Sequence, residues 1–144
     1  MRYVVLVLIM ALALIAGACS SGGDTVEVGL SEWVVQPDPS SASSGEITFE
    51  ANNVGAEVHE LVIVKANSAA DLPVDANGKV DEDALPAGAF IGEIEEFAAG
   101  GSESATFDLE AGTYILFCNI LEEEPDGSFE SHYQEGMVTT FTVN

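Results

Sequence analysis

The chain has 144 residues, with 25 acidic side chains against three basic ones and a formal net charge of −22 at pH 7. A field of that sign repels phosphate, so nucleic acid and anionic membrane faces are poor partners. The length suffices for one domain with a proper core and is too short for two.

At the N-terminus, Met1 and Arg2 form a short positive region, Tyr3 to Ile15 an apolar core, and Ala16-Gly17-Ala18 a small-residue stretch before Cys19. The uncharged run Tyr3 to Ala18 falls short of the roughly 20 residues that a spanning helix needs. The pattern resembles a bacterial lipoprotein signal, although Ala16 stands where Leu is commoner. That resemblance implies a signal peptide over 1–18, acylation of Cys19, a flexible tether over 19–24 and a folded domain over 25–144. The location it implies is the extracytoplasmic side of the cell membrane, held by lipid.

Beyond the leader the dominant hydrophobic period is two, with turn residues at short intervals, so the domain is predicted to be antiparallel β. Glu27 to Val35 reads as an opening strand or pair, ended by Pro37 and Pro39. Ile47, Phe49 and Ala51 alternate with Glu46, Thr48, Glu50 and Asn52, the pattern of a half-buried strand. His59 to Lys65 is apolar on both faces apart from Glu60, as a central strand is. Ala66 to Ala89, rich in Ala, Asp, Gly and Pro, reads as a connection with at most a short helix near Ala69 to Leu72. Ala105, Phe107 and Leu109 alternate with polar residues, and the turn Glu110-Ala111-Gly112 leads into a strand over Thr113 to Cys118. Asn119 to Ser131 is read as an acidic loop, and Met137 to Val143 closes the domain.

After the leader the chain holds only two histidines, His59 and His132, one methionine, Met137, and one cysteine besides Cys19, namely Cys118. Two imidazoles, a thiolate and a weak thioether are the donor set of a blue-copper electron-transfer site. Each residue also has a structural explanation. His59 could be a core or edge histidine bonded to a carbonyl, Met137 core filler, His132 a solvated loop residue, and Cys118 a buried thiol or the disulfide partner of Cys19. Taken jointly and in this order, as nearly the sole residues of their types, the four favour copper.

The segment Gly112-Thr-Tyr-Ile-Leu-Phe-Cys118, followed by His132-Tyr-Gln-Glu-Gly-Met137, resembles the copper motif of the cupredoxins, the plastocyanin and azurin family. Upstream, Asn53-Val-Gly-Ala-Glu-Val-His59 is similar to the turn and histidine that begin a central strand in that fold. The resemblance implies an all-β Greek-key β-sandwich of about seven to eight strands. It also implies one copper ion cycling between Cu(I) and Cu(II), held by His59, Cys118 and His132 with Met137 as weak axial ligand. The function implied is single-electron transport by a monomer that docks a redox protein through the His132 edge.

Two departures from the family pattern stand out. Asn119 to Ser131 intervene between cysteine and histidine where short-loop members have only a few residues, and Ser131 replaces the proline that often precedes the histidine. Ile120, Leu121, Phe129 and Tyr133 are the candidates to rebuild an apolar docking patch around that histidine. Glu60 stands where many relatives have asparagine, and the loop-locking role of that asparagine does not carry over to it from sequence. Most of the acids read as a solvated coat, suited to solubility or to high salt. Glu122, Glu123, Glu124, Asp126, Glu130 and Glu135, crowding the metal loop, are placed to steer a partner with a basic docking surface.

Asp75 to Asp83 superficially resembles a calcium loop, but Lys79 occupies an acidic position and the glycine comes too early, so a solvated acidic linker is the better reading. No nucleophile elbow or phosphate-cradling loop occurs, and the chain is read as a non-enzyme. The alternatives to electron transport are a copper-delivery lipoprotein using the same residues and a metal-free recognition module on the same sandwich.

Overall fold

The computed structural model describes residues 23–144, and the predicted signal peptide and the lipid-attachment residue Cys19 lie outside the described residues. The strands are β1 (Asp24–Ser31), β2 (Val34–Asp38), β3 (Ser41–Ala42), β4 (Gly45–Asn53), β5 (His59–Lys65), β6 (Phe90–Phe97), β7 (Ser102–Leu109), β8 (Gly112–Phe117), β9 (Leu121–Glu123), β10 (Phe129–Ser131) and β11 (Val138–Val143). One short helical turn, α1 (His132–Glu135), precedes β11, and two 3-10 turns lie at Ala69–Asp71 and Glu82–Ala84.

The strands form a sandwich of a four-stranded sheet, β2-β1-β4-β7, and a five-stranded sheet, β3-β11-β8-β5-β6, with β9 and β10 as a separate hairpin. Period-two patterning decides which side chains meet between the sheets. Ile47, Phe49 and Ala51 of β4 bury against Leu61 and Ile63 of β5, Tyr114 and Leu116 of β8, and Phe141 of β11 in one cluster. The all-β Greek-key assignment from sequence agrees with this architecture. The sheets are mixed rather than purely antiparallel: β1 runs parallel to β4, and β3 parallel to β11. The reason is topological. The chain leaves the first sheet after β2, contributes β3 to the second, and returns with β4 pointing the same way as β1.

The apolar character of both faces of β5 has a specific cause. Leu61 and Ile63 face the sandwich, whereas Val62 and Val64, with Ile115 and Phe117 of β8, face outward into a second cluster with Leu72, Val80 and Ala89. The long connection between β5 and β6 therefore lies over the outer face of the five-stranded sheet. Alternation along β5 and β8 then directs His59 and Cys118, in phase with Leu61 and with Leu116, into the sandwich at one end.

Two segments differ from the sequence expectation. Phe90–Phe97 is an edge strand that the pattern did not announce, and Asn119 to Ser131 is not an irregular loop but carries the β9–β10 ladder from Leu121↔Ser131 to Glu123↔Phe129. Asp126 shapes the tip of that hairpin by accepting the backbone N–H and the hydroxyl of Ser128.

Candidate metal centre

His59 opens β5, Cys118 follows the last residue of β8, and His132 opens α1. The Nδ1 atoms of the two histidines lie 3.3 Å apart, and Cys118 Sγ lies 3.4 Å from His132 Nδ1. The three donors sit within 4.8 Å of one another, and all three residues are 0 % exposed. Edges of this length place a common centre roughly 2 Å from each donor, the bond length of imidazole and thiolate ligands to a first-row metal.

The chemistry of the donors fits the group. Burial, then the neighbouring His132, lowers the pKa of His59, keeping that imidazole neutral as ligation requires. Burial pushes the Cys118 thiol up to about 12, so it becomes a thiolate only when a cation replaces its proton. Among the described residues Cys118 is a free cysteine. Two imidazoles and one thiolate in a dry, triangular array are the strong donors of a copper electron-transfer site, and the arrangement makes a single copper site.

Met137 lies at the same end. Its carbonyl accepts the Cys118 N–H at 3.0 Å, placing it across the β8–β11 ladder from the cysteine, and its side chain is fully buried in the cluster that contains Cys118. The spacing from His132 to Met137 is fixed by α1. Ser131 caps the turn by accepting the Gln134 N–H, Gly136 ends it at φ 117°, and the Met137 N–H returns to the His132 carbonyl at 2.9 Å. Ser131 thus fixes the start of the turn that carries His132.

Glu60 requires a correction. Its Oε1 accepts the backbone N–H of Asn119 at 3.0 Å, so it does tie the residue after Cys118 to the residue after His59. Burial raises its carboxyl to about 7. Asn119 is in turn bonded through its amide to both backbone groups of Val80 and to Glu82. Ser131 donates to the Gly78 carbonyl and Tyr133 to that of Ala69, so the connection over the second sheet braces both ligand segments. This role for Asn119, Ser131 and Tyr133 had no sequence signal.

The predicted apolar patch is also corrected. Ile120 is buried, Tyr133 packs on Phe117 and the outer cluster, and only Phe129 of the four is prominently exposed. What covers the site is the turn between β1 and β2. Glu32 accepts the N–H groups of Ala56 and Glu57, at 2.6 and 2.9 Å, in the loop that leads into His59. Its own backbone N–H, then those two, hold its carboxyl at about 2. Trp33, held at φ 64°, sets its ring edge-on to His132 at 5.5 Å. Asn53 locks the same loop by donating to the carbonyls of Glu57 and Phe97. The outer Nε2 atoms face carboxylates: Glu32 lies 3.6 Å from that of His59, and Glu57 and Glu122 lie 3.7 and 4.0 Å from that of His132.

No protein-family model matches the sequence, and no curated protein matches it either. Solved structures do. A reduced auracyanin of the photosynthetic bacterium Roseiflexus castenholzii is 25% identical, with 85% of this chain and 99% of that one aligned at a TM-score of 0.56. Auracyanin A, a blue copper protein of Chloroflexus aurantiacus, is 26% identical over 85% of this chain and 100% of its own, at a TM-score of 0.57. An azurin of Methylomonas sp. strain J, at 17% identity, 85% and 99% coverage and a TM-score of 0.55, shares the fold.

Proposed function

Taking this chain as a member of the cupredoxin family, we propose that it is a type 1 (blue) copper protein, lipid-tethered through Cys19 on the extracytoplasmic side of the cell membrane, that carries single electrons between redox partners. The observation that carries this reading is the buried triangle of His59 Nδ1, Cys118 Sγ and His132 Nδ1. Bound there, copper supplies a one-electron Cu(I)/Cu(II) couple that accepts both soft sulfur and imidazole ligands. The protein's part is to keep that geometry fixed and dry. Cys118 and Met137 are pinned by the strand ladder, His132 by the capped turn, and the entry to His59 by Asn53 and Glu32. Met137 is the weak axial donor in this reading.

Complete burial of the three strong ligands favours a carrier over a copper-delivery protein, because hand-over needs a ligand that an acceptor can reach. An electron reaches His132 through the partly buried Trp33 ring, on a face whose Glu32, Glu57, Glu122 and Glu130 suit a partner with a basic docking surface. The chain acts as a monomer in this role. In the copper-loaded protein, Cys118→Ser is expected to abolish the intense visible absorption of the oxidised form. Persistence of the blue colour in that variant would overturn the assignment.

A further inference from the structure

We infer that Glu57, Glu122 and the outer nitrogen of His132 form a second cation site, for a divalent metal of intermediate softness such as Zn²⁺. His132 is 0 % exposed, yet its Nε2 has no hydrogen-bond partner, and neither does the buried Oε2 of Glu57 that it faces at 3.7 Å. Glu122 Oε1 lies 4.0 Å from the same nitrogen, and the three donor atoms fall within 4.8 Å of one another. These separations are too long for hydrogen bonds and suit donors arranged around an ion.

The donor types select the ion. Calcium and magnesium prefer all-oxygen shells, whereas one imidazole and two carboxylates match zinc and its neighbours. An ion enters past the Glu57 and Glu122 side chains, 36% and 39% exposed, to reach the buried Glu57 Oε2 and His132 Nε2. The carboxylates of Glu122, Glu32 and Glu130 all repel that of Glu57, and a dication among them relieves that repulsion. Backbone placement is firm: Glu57 sits in the loop fixed by Asn53 and Glu32, and Glu122 in β9. His132 thus serves two centres, with Nδ1 turned to the copper site and Nε2 outward. With Nδ1 given to copper, Nε2 carries the ring proton; Zn²⁺ replaces it, the Nε2–H bond breaking as the Zn–N bond forms, the proton passes to water, and no electron is transferred.

The inference goes beyond electron transport and is tested separately from it. The full-length copper-loaded protein, in detergent, is titrated with zinc chloride by calorimetry while the Cu(II) electron paramagnetic resonance spectrum is followed. One further equivalent of zinc is expected, with release of one proton and a changed copper spectrum. Glu57→Gln and Glu122→Gln should each weaken that zinc binding by about tenfold or more. Glu103→Gln and Asp108→Asn, on exposed positions of β7, should leave it unchanged. Absence of zinc uptake beyond the copper, or equal uptake in all four variants, overturns the site, the latter marking diffuse binding to the acidic coat. In the copper-free chain, zinc should bind to two equivalents, and the second should be lost in the Glu57 and Glu122 variants. Failure to take up copper refutes the electron-carrier reading, and the zinc count in that chain still decides this site.

Discussion

At the scale of single residues, the ligands are less distinctive than what surrounds them. Glu60 ties two segments of the site together, because its carboxylate accepts the Asn119 N–H, a bond that an amide oxygen can also accept. Glu60→Gln should retain that bond and leave unfolding by denaturant nearly unchanged. Glu60→Leu strands the donor and should cost about 1–3 kcal/mol. Equal stability of the two variants would contradict the bond's role. Trp33 makes a different prediction. Its left-handed backbone is an uncommon conformation for a bulky residue, retained where the ring covers His132. Trp33→Gly relieves the backbone and uncovers the imidazole, so copper loss to a chelator should accelerate while global stability changes little. An unchanged rate of loss would show that the ring does not guard the site.

At the scale of elements, legibility followed periodicity. The strand over Ile47 to Ala51 and the strands carrying His59 and Cys118 were readable because each keeps an unbroken apolar phase, and the four candidate ligands were readable as rare residue types. β6 was not. Its buried residues Ile94 and Phe97 are out of phase for a strand because the pairing shifts between Leu61↔Ile94 and His59↔Phe97, a bulge directly beside a ligand. The turn that covers the histidines and the connection that braces them act through long-range contacts, and a single sequence carries no mark of those. The β9–β10 hairpin was hidden by its acidic composition. Since its tip, from Glu124 to Ser128, is largely exposed and bonded mainly to itself, replacing those residues with Asn-Gly should leave the visible spectrum intact. A lost or shifted absorption band would show that the tip helps to shape the site.

At the scale of the whole molecule, charge is the governing feature. With 25 acids against three basic residues, and Lys65 paired to Glu110 at 3.2 Å, the folded state is under net self-repulsion. Salt screens interactions between exposed charges beyond about 8 Å at 0.15 M. The melting temperature is therefore expected to rise as sodium chloride increases from millimolar to molar concentration, measured by thermal denaturation at fixed pH. A melting temperature that falls with salt would mean that local ion pairs outweigh the repulsion.

The hydrogen bonds from Ser131 to Gly78, from Tyr133 to Ala69 and between Asn119 and Val80 also bear on how the molecule can be re-engineered. The extended stretch between the thiol and the second imidazole and the strap over the outer sheet are counterparts, each completing the other's polar groups. Grafting the former, extended to include Tyr133, onto a compact relative without the latter would leave an amide, a hydroxyl and a phenol searching for acceptors, so the two segments should be transplanted together.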